Sequence, residues 1–446
     1  MTPAARIEAA IALLSAIADA GSRPADAVAN EFFRARRFIG SGDRRAVSDR
    51  VWRVLRAHRR LTWWLARTQA EANARLLVAA SLLTEGWTFD GVAQAFSGGR
   101  FAPEALDRAE AIALHGIAGH TLDHPEMPDA VRLEIPDWLL PPLAARFGPA
   151  LATELTALLQ PAPLDLRVNL LKGTRDDAIA ALAAEGLEAA PTPISPWGLR
   201  IDGRRAVTTG PAFQSGLLEI QDEGSQLVAA LVDARPGQRV CDYCAGAGGK
   251  TLALAMTMQN RGQVVACDTS AARLDNAVRR LRRAGVHNVE RHLLAPGDKW
   301  AKRRAGAFDR VLVDAPCTGT GTWRRNPDAR LRLTEAALAE LRHKQAAILD
   351  DAASLVRIGG RLVYATCSLL PDENEAQVTA FLERWPAAHG KPAFAVLPLA
   401  RAWPCQLDRS AELVPGGPPC TGDFLALTPA HHGTDGFFAA VLERVT

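Results

Sequence analysis

The stretch Val240-Cys241-Asp242-Tyr243-Cys244-Ala245-Gly246-Ala247-Gly248-Gly249-Lys250-Thr251 decides the fold of this chain. Residues 238–242 favour a strand, small residues follow as a loop, and helix-forming residues begin at Lys250. A strand, a glycine-rich loop and a helix start in this order form the part of an α/β domain that holds a nucleotide-like ligand. Glycine is needed because the backbone turns tightly and its N–H groups approach the ligand closely. We expect a sheet built around this loop.

Strand and helix patterns alternate through the rest of the C-terminal half, which is typical of a mostly parallel sheet. The predicted strands lie at 263–268, 308–317 and 361–368, and the predicted helices lie at 271–284, at 334–357 with a stop at Gly359-Gly360, and from Pro371 with acids in its first turn. Ligands bind such sheets beyond the carboxyl ends of the strands. The acids and thiols that follow the predicted strands are therefore expected in one crevice: Asp242, Asp268, Asp314, Cys317 and Cys367.

The N-terminal part of the chain has a different pattern. Residues 1–120 carry only helical periodicity, and residues 123–142 contain five prolines and resemble a connector. A small α+β pattern follows, with strands at 164–169 and 198–201 and a helix at 174–185 that Thr174 is expected to cap. The sequence therefore predicts three parts, which are an all-α domain at 1–125, a connector and small α+β module at 126–215, and an α/β domain at 216–446.

Composition limits the class of protein. The chain has 446 residues, 48% of them hydrophobic and 23% charged, as in ordinary globular proteins. It has no apolar run of eighteen residues, so no transmembrane helix is expected. Its seven cysteines are scattered and odd in number, which argues against a secreted disulfide framework. We expect a cytoplasmic protein, and nothing in the sequence requires more than a monomer.

Arginine is concentrated near the N-terminus. Eleven arginines lie between Arg34 and Arg67, against two acids, and three tryptophans are interleaved with them. Arginine pairs with phosphate oxygens and stacks on bases, so this segment is a candidate RNA-binding surface. The alternative is a compositional bias, because no lysine occurs before Lys172. RNA is the favoured partner.

Two other ligand classes fit the loop poorly. Gly248-Gly249-Lys250-Thr251 resembles the end of a phosphate-binding P-loop, but the first glycine of that motif would fall on Cys244. Asp268 lies 22 residues after Gly246, close to the roughly 20-residue offset at which a carboxylate meets a ribose hydroxyl. Cys241 and Cys244 form a C-x-x-C pair, but a zinc site would need two further ligands at matching spacing. No metal is expected.

Three motifs in the C-terminal half belong together: Cys-Ala-Gly-Ala-Gly-Gly-Lys at 244–250, Asp-Ala-Pro-Cys at 314–317 and Ala-Thr-Cys-Ser at 365–368. In combination they resemble the Sun/RsmB family of ribosomal RNA cytosine-C5 methyltransferases. Further matches are Arg-Val-Asn at 167–169, Ile-Gln-Asp-Glu-Gly-Ser at 220–225, Arg-Arg-Asn-Pro-Asp at 324–328 and Gly-Phe-Phe-Ala at 436–439. The resemblance implies a Rossmann-like class I methyltransferase domain that uses S-adenosylmethionine. Less specifically, it implies a NusB-like helical RNA-binding domain at the N-terminus.

The resemblance also implies roles for individual residues. Cys367 would attack C6 of a cytosine in small-subunit (16S) ribosomal RNA, and Cys317 would help to release the 5-methylcytosine product. Asp314 would bind the base at N3 or at its amine. The implied cofactor-binding residues are Cys244, Ala245, Gly246, Ala247, Gly248, Gly249, Lys250, Asp268 and Asp314. Lys250 would contact the carboxylate of the cofactor or cap the loop.

Two departures from the family pattern concern the cofactor. The family loop usually reads Ala-Pro-Gly-Gly-Lys, so Gly246-Ala247 is a variant. The family also commonly has an acid after its third strand that contacts the adenine amine, whereas the next acid after that strand is Asp298. Asp298 is therefore not assigned to the adenine.

Two other functions fit the sequence less well. A methyltransferase that acts on an exocyclic amine would carry Asn/Asp-Pro-Pro and an aromatic residue where this chain has Asp314-Ala-Pro-Cys317. A non-catalytic, NusB-like RNA-binding or ribosome-assembly factor would not need two cysteines at the edge of the sheet.

Overall fold

The computed structural model describes residues 1–203, 205–295, 297–385, 393–404 and 420–446. The chain divides into two compact units. The first unit contains residues 1–160 together with a later segment, residues 323–334. The second unit contains residues 161–322 and 335–446.

The first unit is helical. Its helices up to residue 160 are α1 (Pro3–Asp19), α2 (Ala25–Ala35), α3 (Ser41–Arg56), α4 (His58–Arg67), α5 (Ala74–Thr84), α6 (Phe89–Ala95), α7 (Arg108–His115), α8 (Asp129–Arg132), α9 (Leu140–Phe147) and α10 (Leu151–Ala157), with 3₁₀ turns at Asp137–Leu139 and Gly148–Ala150. Val47, Val51 and Leu55 recur at helical spacing in α3 and are buried in the core of this unit. The prediction that residues 1–120 form only helices is confirmed for the described chain.

The later segment, 323–334, completes this unit. Its helix α17 (Ala329–Arg332) carries Arg330, which is 2% exposed and whose Nη1 donates to the carbonyl oxygen of Glu134. Burial lowers the pKa of Arg330 to about 10. The Asp328 carboxylate accepts a hydrogen bond from the Ala25 N–H at the start of α2, across 3.0 Å. The chain therefore returns to its N-terminal unit after the motifs at 244–250 and 314–317 have passed.

The second unit alternates strands and helices. Its strands are β1 (Leu164–Val168), β2 (Ala190–Pro191), β3 (Gly198–Ile201), β4 (Leu218–Ile220), β5 (Arg239–Asp242), β6 (Gln263–Asp268), β7 (Val289–Leu293), β8 (Phe308–Asp314), β9 (Val356–Thr366), β10 (Phe394–Val396), β11 (Cys420–Thr421), β12 (Phe424–Leu427) and β13 (Phe437–Arg444). Its helices are α11 (Arg175–Ala184), α12 (Pro211–Gln214), α13 (Glu223–Leu231), α14 (Gly249–Thr257), α15 (Ala271–Ala284), α16 (Trp300–Arg303), α18 (Glu335–Leu355), α19 (Glu375–Arg384), α20 (Leu399–Ala402) and α21 (Pro429–His432), with 3₁₀ turns at Thr320–Thr322 and Pro371–Glu373.

These strands form two sheets. The smaller sheet is antiparallel with the order β2-β3-β1-β4, and Thr174 caps α11 beside it with a capping box, as predicted. The larger sheet has the order β11-β12-β13-β9-β8-β5-β6-β7, with β10 paired to β13. Strands β9, β8, β5, β6 and β7 are mutually parallel, whereas β13 is antiparallel to β9. The predicted Rossmann-like, mostly parallel sheet is confirmed.

The parallel strands are buried on both faces. Val240, Leu312 and Val363 belong to one apolar cluster, whereas their neighbours Cys241 and Val311 belong to a second one. Because successive side chains of a strand point to opposite faces, each strand needs apolar residues throughout its length. Polar side chains are thereby confined to the ends of the strands.

One predicted boundary was wrong. Helix α18 ends at Leu355, and the chain enters β9 at Val356 instead of stopping a helix at Gly359-Gly360. The two glycines lie inside the strand, where its pairing with β8 shifts register between Phe308 and Arg310. A Cβ at Gly360 would lie 2.8 Å from the carbonyl oxygen of Arg357, so glycine is required by this irregular strand and not by a helix end.

Across the described ranges, no helix is both long and apolar enough to cross a membrane.

Candidate active site

The glycine loop joins the end of β5 to the start of α14. Gly246 and Gly248 adopt φ angles of +56° and +82°, a region that side chains disfavour. A Cβ at Gly248 would also lie 3.1 Å from the Cβ of Ala277 on α15. The loop therefore folds closely against the neighbouring helix and leaves its backbone free to face a ligand.

Two arginines hold this loop through its carbonyl oxygens, and one of them, Arg167, is buried. Arg167 of β1 donates to the carbonyl oxygen of Gly249 across 2.8 Å and also bonds the amide oxygen of Gln221. Burial lowers the pKa of Arg167 to about 10. Arg280 of α15 donates to the carbonyl oxygen of Ala247 across 2.7 Å. The small antiparallel sheet thus supports the loop directly, which the sequence pattern did not indicate.

Asp268 at the end of β6 contacts the same loop. Its Oδ2 accepts a hydrogen bond from the Gly246 N–H, and its Oδ1 accepts one from the Ser270 N–H, both across 2.8 Å. Each carboxylate oxygen has a second lone pair, so these bonds leave capacity for a ribose hydroxyl. The structure brings Asp268 to the loop at the expected place.

Asp242 at the end of β5 lies under the loop and is fully buried. Its Oδ2 accepts a hydrogen bond from the Thr251 hydroxyl across 2.7 Å, whereas its Oδ1 has no protein partner in the described chain. Burial raises the pKa of Asp242 from 3.8 to about 7. This carboxyl therefore changes protonation near neutral pH.

Lys250 pairs with Asp314. The Lys250 ammonium donates to Asp314 Oδ2 across 2.6 Å, which joins the glycine loop to the end of β8. Burial alone would lower the pKa of Lys250, but the Asp314 carboxylate outweighs it and the pKa is raised. The Asp314 side chain remains 32% exposed, so it can still meet a substrate. Lys250 is thus engaged across the crevice with Asp314.

The two cysteines of the resemblance lie side by side. Cys317 follows β8 and Cys367 follows β9, and their Sγ atoms are 3.4 Å apart. The Gly321 N–H donates to the carbonyl oxygen of Cys367 across 2.9 Å. The hydrogen bond to Cys367 and burial raise the pKa of the Cys317 thiol well above its ordinary value. The pair therefore holds a proton on Cys317 while both sulfurs stay half-buried.

The other cysteines of the second unit have different surroundings. Burial and the nearby carboxylates of Asp314 and Asp242 raise the pKa of the Cys244 thiol, so it remains protonated. Cys241 is in the core, with its Sγ 4.0 Å from that of Cys267. Among the residues that the structure describes, no group of three or more His, Cys, Asp or Glu side chains could hold a metal ion.

Asp298 makes local contacts near the end of β7. Its Oδ2 lies 2.6 Å from Nε2 of His292, and its Oδ1 accepts a hydrogen bond from the Trp300 N–H across 2.9 Å. The hydrogen bond from His292 lowers the pKa of Asp298. These contacts join Asp298 to β7 and to the start of α16.

Sequence reasoning missed two residues beside the cysteines, Glu373 and Asn374. The acids after Pro371 were expected only as acids in the first turn of a helix, but Glu373 is fully buried. It accepts a hydrogen bond from the Thr318 N–H, next to Cys317, while Asn374 bonds both neighbours of Cys367. The signal in the sequence was the hydroxyl residues that flank both cysteines, because buried hydroxyls need partners.

The chain matches two family models. One, described as "16S rRNA methyltransferase RsmB/F", matches residues 229–443. The other, described as "Methyltr_RsmF/B-like, ferredoxin-like domain", matches residues 135–208.

Curated relatives and a solved structure extend these matches. The chain is 35% identical to a "Probable ribosomal RNA small subunit methyltransferase B" of Synechocystis sp. over 72% of this chain and 70% of the relative. It is 40% identical to a ribosomal RNA small subunit methyltransferase B of Xylella fastidiosa, over 56% of this chain and 59% of the relative. The crystal structure of PH0851 superimposes with a TM-score of 0.78 at 25% identity and covers 100% of this chain and 99% of that one.

Proposed function

The chain belongs to the RsmB/F family of 16S rRNA methyltransferases, and from this premise we propose that it methylates C5 of a cytosine in small-subunit ribosomal RNA. The methyl donor of this proposal is S-adenosylmethionine. The observation that carries it is the pair of thiols 3.4 Å apart, next to the crevice that Lys250, Asp314 and the glycine loop line. A methyl transfer to an exocyclic amine would need neither thiol.

The glycine loop suits the proposed donor. A Cβ at Gly248 would crowd Ala277, and Asp242 presents a buried oxygen without a protein partner in the described chain. A close backbone and an acceptor oxygen fit a ligand that carries an ammonium and a ribose. Residues 244–250 and Asp268 would hold S-adenosylmethionine, which when bound supplies an electrophilic methyl group.

The proposed role of Cys367 is to activate the base. C5 of cytosine is a poor nucleophile. When the Cys367 thiolate forms a bond to C6, the electron pair of the C5–C6 double bond becomes available at C5 for bond formation to the methyl group. The Cys317 S–H lies close enough to Cys367 Sγ to stabilise its thiolate before attack.

Asp314 and Lys250 would orient the base during this step. An ionised Asp314 accepts a hydrogen bond from the exocyclic amine, or from N3 once that nitrogen is protonated, and so favours the build-up of electrons in the ring. Lys250 holds the Asp314 carboxylate in place by pairing with it across 2.6 Å. After methyl transfer, the Cys317 thiol would first lose its proton to solvent water and then, as a thiolate, take the proton from C5. The C–H electron pair would reform the C5–C6 double bond, and the bond from C6 to Cys367 would break with Cys367 leaving as a thiolate.

Trapping of the covalent intermediate tests this proposal. Cys317→Ala should accumulate a covalent complex with unmodified small-subunit ribosomal RNA, visible as a retarded band on a denaturing gel. Cys367→Ala and the double variant serve as controls and should give none. An adduct with Cys367→Ala alone would reverse the two roles. Absence of both adduct and methyl transfer would favour a non-catalytic RNA-binding or ribosome-assembly factor.

We further propose that part of the arginine-rich segment contacts RNA. Five of its arginines form ion pairs within the first unit: Arg50, Arg53, Arg59, Arg60 and Arg67. Arg37 and Arg45 are exposed and form no ion pair with any described residue. Their guanidinium groups are available to bind phosphates, so we place the proposed RNA-binding surface near these two arginines.

The three-part organisation predicted from the sequence fits this activity. We propose that residues 1–125 bind RNA, that residues 126–215 connect the other two parts and support the glycine loop, and that residues 216–446 carry out the methyl transfer. The protein of this proposal is a monomer. The ferredoxin-like family match at 135–208 supports the middle part. The five cysteines whose side chains are described are free thiols, which supports a place in the cytoplasm, where thiols stay reduced.

A further inference from the structure

We propose that Glu373 and Asn374 are a positioning pair, in which Glu373 holds the Cys317 loop and Asn374 holds the Cys367 loop. This inference rests on the proposed covalent mechanism. It concerns two adjacent residues before α19 for which neither the motifs nor the mechanism above provides a role.

Glu373 fixes the residues on both sides of Cys317. Its Oε1 accepts hydrogen bonds from the Thr318 N–H and from the Gln345 amide, both across 2.9 Å, and its Oε2 accepts one from the Thr318 hydroxyl. Gln345 also donates to the carbonyl oxygen of Pro316 across 2.9 Å. Pro316 and Thr318 flank Cys317, so the buried carboxylate holds the thiol from both sides.

Asn374 does the same for Cys367. Its amide oxygen accepts a hydrogen bond from the Thr366 hydroxyl across 2.5 Å, and its amide nitrogen donates to the carbonyl oxygen of Ser368 across 2.9 Å. Thr366 and Ser368 flank Cys367. The hydroxyls of Thr318 and Ser368 also lie 3.2 Å apart, which links the two loops directly.

The pair thus sets the distance between the two sulfurs. Because Glu373 and Asn374 are consecutive in a buried backbone, the two loops cannot move apart without breaking hydrogen bonds that burial makes costly to lose. Tyr364 anchors this backbone by donating its hydroxyl to the carbonyl oxygen of Glu373 across 2.6 Å. A covalent mechanism needs this precision, since one sulfur attacks C6 and the other must reach the proton on C5.

Glu373 also acts on Cys317 through its charge. The titratable groups that face Cys317 are Cys367, Glu373 and Tyr364. The hydrogen bond to Cys367, then burial, and then the charges of Cys367 and Glu373 raise the pKa of the Cys317 thiol. Neutralising Glu373 removes one of these causes, so the pKa of Cys317 should fall in a Glu373→Gln variant.

The two members should affect different steps. With unmodified small-subunit ribosomal RNA, Glu373→Gln should transfer the first methyl group at close to the normal single-turnover rate. It should then release product about 10- to 100-fold more slowly, the order of loss expected when a reacting group is misplaced. The adduct should accumulate, and the pH at which release becomes fast should move lower. Asn374→Ala should instead slow the first methyl transfer and accumulate no adduct.

Matched variants separate positioning from folding. Glu383→Gln changes an exposed glutamate on α19 and should leave all rates unchanged. Thr318→Val should imitate Glu373→Gln, and Thr318→Ser, which keeps the hydroxyl, should restore release. Equal losses in both steps, together with an unmoved pH profile, would show a merely structural role and overturn the inference.

The same gels distinguish failure of this inference from failure of the proposed function. If Cys317→Ala traps an adduct while Glu373→Gln behaves like Glu383→Gln, only the positioning pair is wrong. If Cys317→Ala traps none, the covalent mechanism itself is wrong.

Discussion

At the scale of single residues, Lys250 has a protein partner that the sequence did not indicate. Its position in Gly-Lys-Thr resembles a phosphate site, and the family resemblance implies a contact with the cofactor carboxylate or a loop cap. In the structure its ammonium donates to Asp314 across 2.6 Å. The lysine therefore acts on the residue proposed to face the base. Its loss should affect the chemistry more than the binding of the methyl donor.

Lys250→Met should lower the rate of methyl transfer by about tenfold or more, because Asp314 would lose the ion pair that fixes its carboxylate at the proposed base site. Single-turnover rates would measure this effect. Lys344→Met, at an exposed lysine on α18, is the matched control and should leave the rate unchanged. A rise in KM for S-adenosylmethionine with an unchanged rate would instead assign Lys250 to the cofactor.

Asp242 predicts a pH dependence of stability. Burial raises its folded-state pKa from 3.8 to about 7, so between about pH 4 and 7 the folded chain holds a proton that the unfolded chain has released. Its contribution to stability therefore falls as the pH rises through this window and is constant above it. Calorimetry at pH 5 and pH 8 should show a smaller drop in melting temperature for Asp242→Asn than for the unaltered chain. Equal drops would contradict the raised pKa.

For single residues, the sequence predicted which side chains lie at the ends of the strands, but it did not predict which other side chains surround them. Asp268, Asp314, Cys317 and Cys367 were predicted to converge because buried parallel strands confine polar residues to one edge. The contacts of Glu373 could not be predicted, because a short acidic run before a helix normally faces water. Its burial depends on hydroxyls that lie far away in the chain and meet it only in the folded state.

At the scale of elements, β9 shows where local patterns mislead. The apolar periodicity of α18 runs into Gly359-Gly360, and a glycine pair after a helical pattern is a common helix stop. Pairing of β9 with β8 starts earlier, at Val356 opposite Phe308. Tertiary hydrogen bonds therefore override the local signal over five residues. By contrast, β6 and α15 follow the predicted bounds because Ser270 caps the helix beside a clear apolar strand.

Gly360→Ala should destabilise the second unit. The added Cβ would lie 2.8 Å from the carbonyl oxygen of Arg357 and 3.0 Å from that of Asp309, and neither backbone atom can move freely. Overpacking of this kind costs about 1–3 kcal/mol, which urea unfolding would measure. Gly249→Ala, where a Cβ would lie 3.7 Å from its nearest neighbour, is the comparison variant. A smaller loss at Gly360 than at Gly249 would contradict the strand irregularity of β9.

At the scale of the whole molecule, net charge conceals the proposed RNA surface. The chain carries only +3 overall, and half of its arginine-rich segment is neutralised by acids of its own unit, as in the pair of Arg60 with buried Glu134. Composition could not separate paired from unpaired arginines, because the acids come from distant positions such as Glu85 and Glu126. Only the fold distinguishes them.

Replacing Arg37 and Arg45 together with alanine should weaken RNA binding without slowing methyl transfer at saturating RNA. The slope of log affinity against log salt should become less steep by about 0.7 to 0.9 for each lost phosphate contact. Fluorescence anisotropy with small-subunit ribosomal RNA fragments at several salt concentrations would measure it. Arg53→Ala removes an arginine that pairs with Glu85 and should leave the slope unchanged. Similar slopes for all three proteins would place the RNA contacts elsewhere.

The return of residues 323–334 to the first unit has a consequence for protein synthesis. Arg330 donates a hydrogen bond to the carbonyl oxygen of buried Glu134. When residues 1–160 emerge from the ribosome, Arg330 has not yet been translated. The N-terminal unit therefore remains incomplete while the glycine loop and Cys317 are translated. The first unit is completed only after much of the second unit has been translated. A nascent chain that stalls before residue 334 therefore contains neither unit in full.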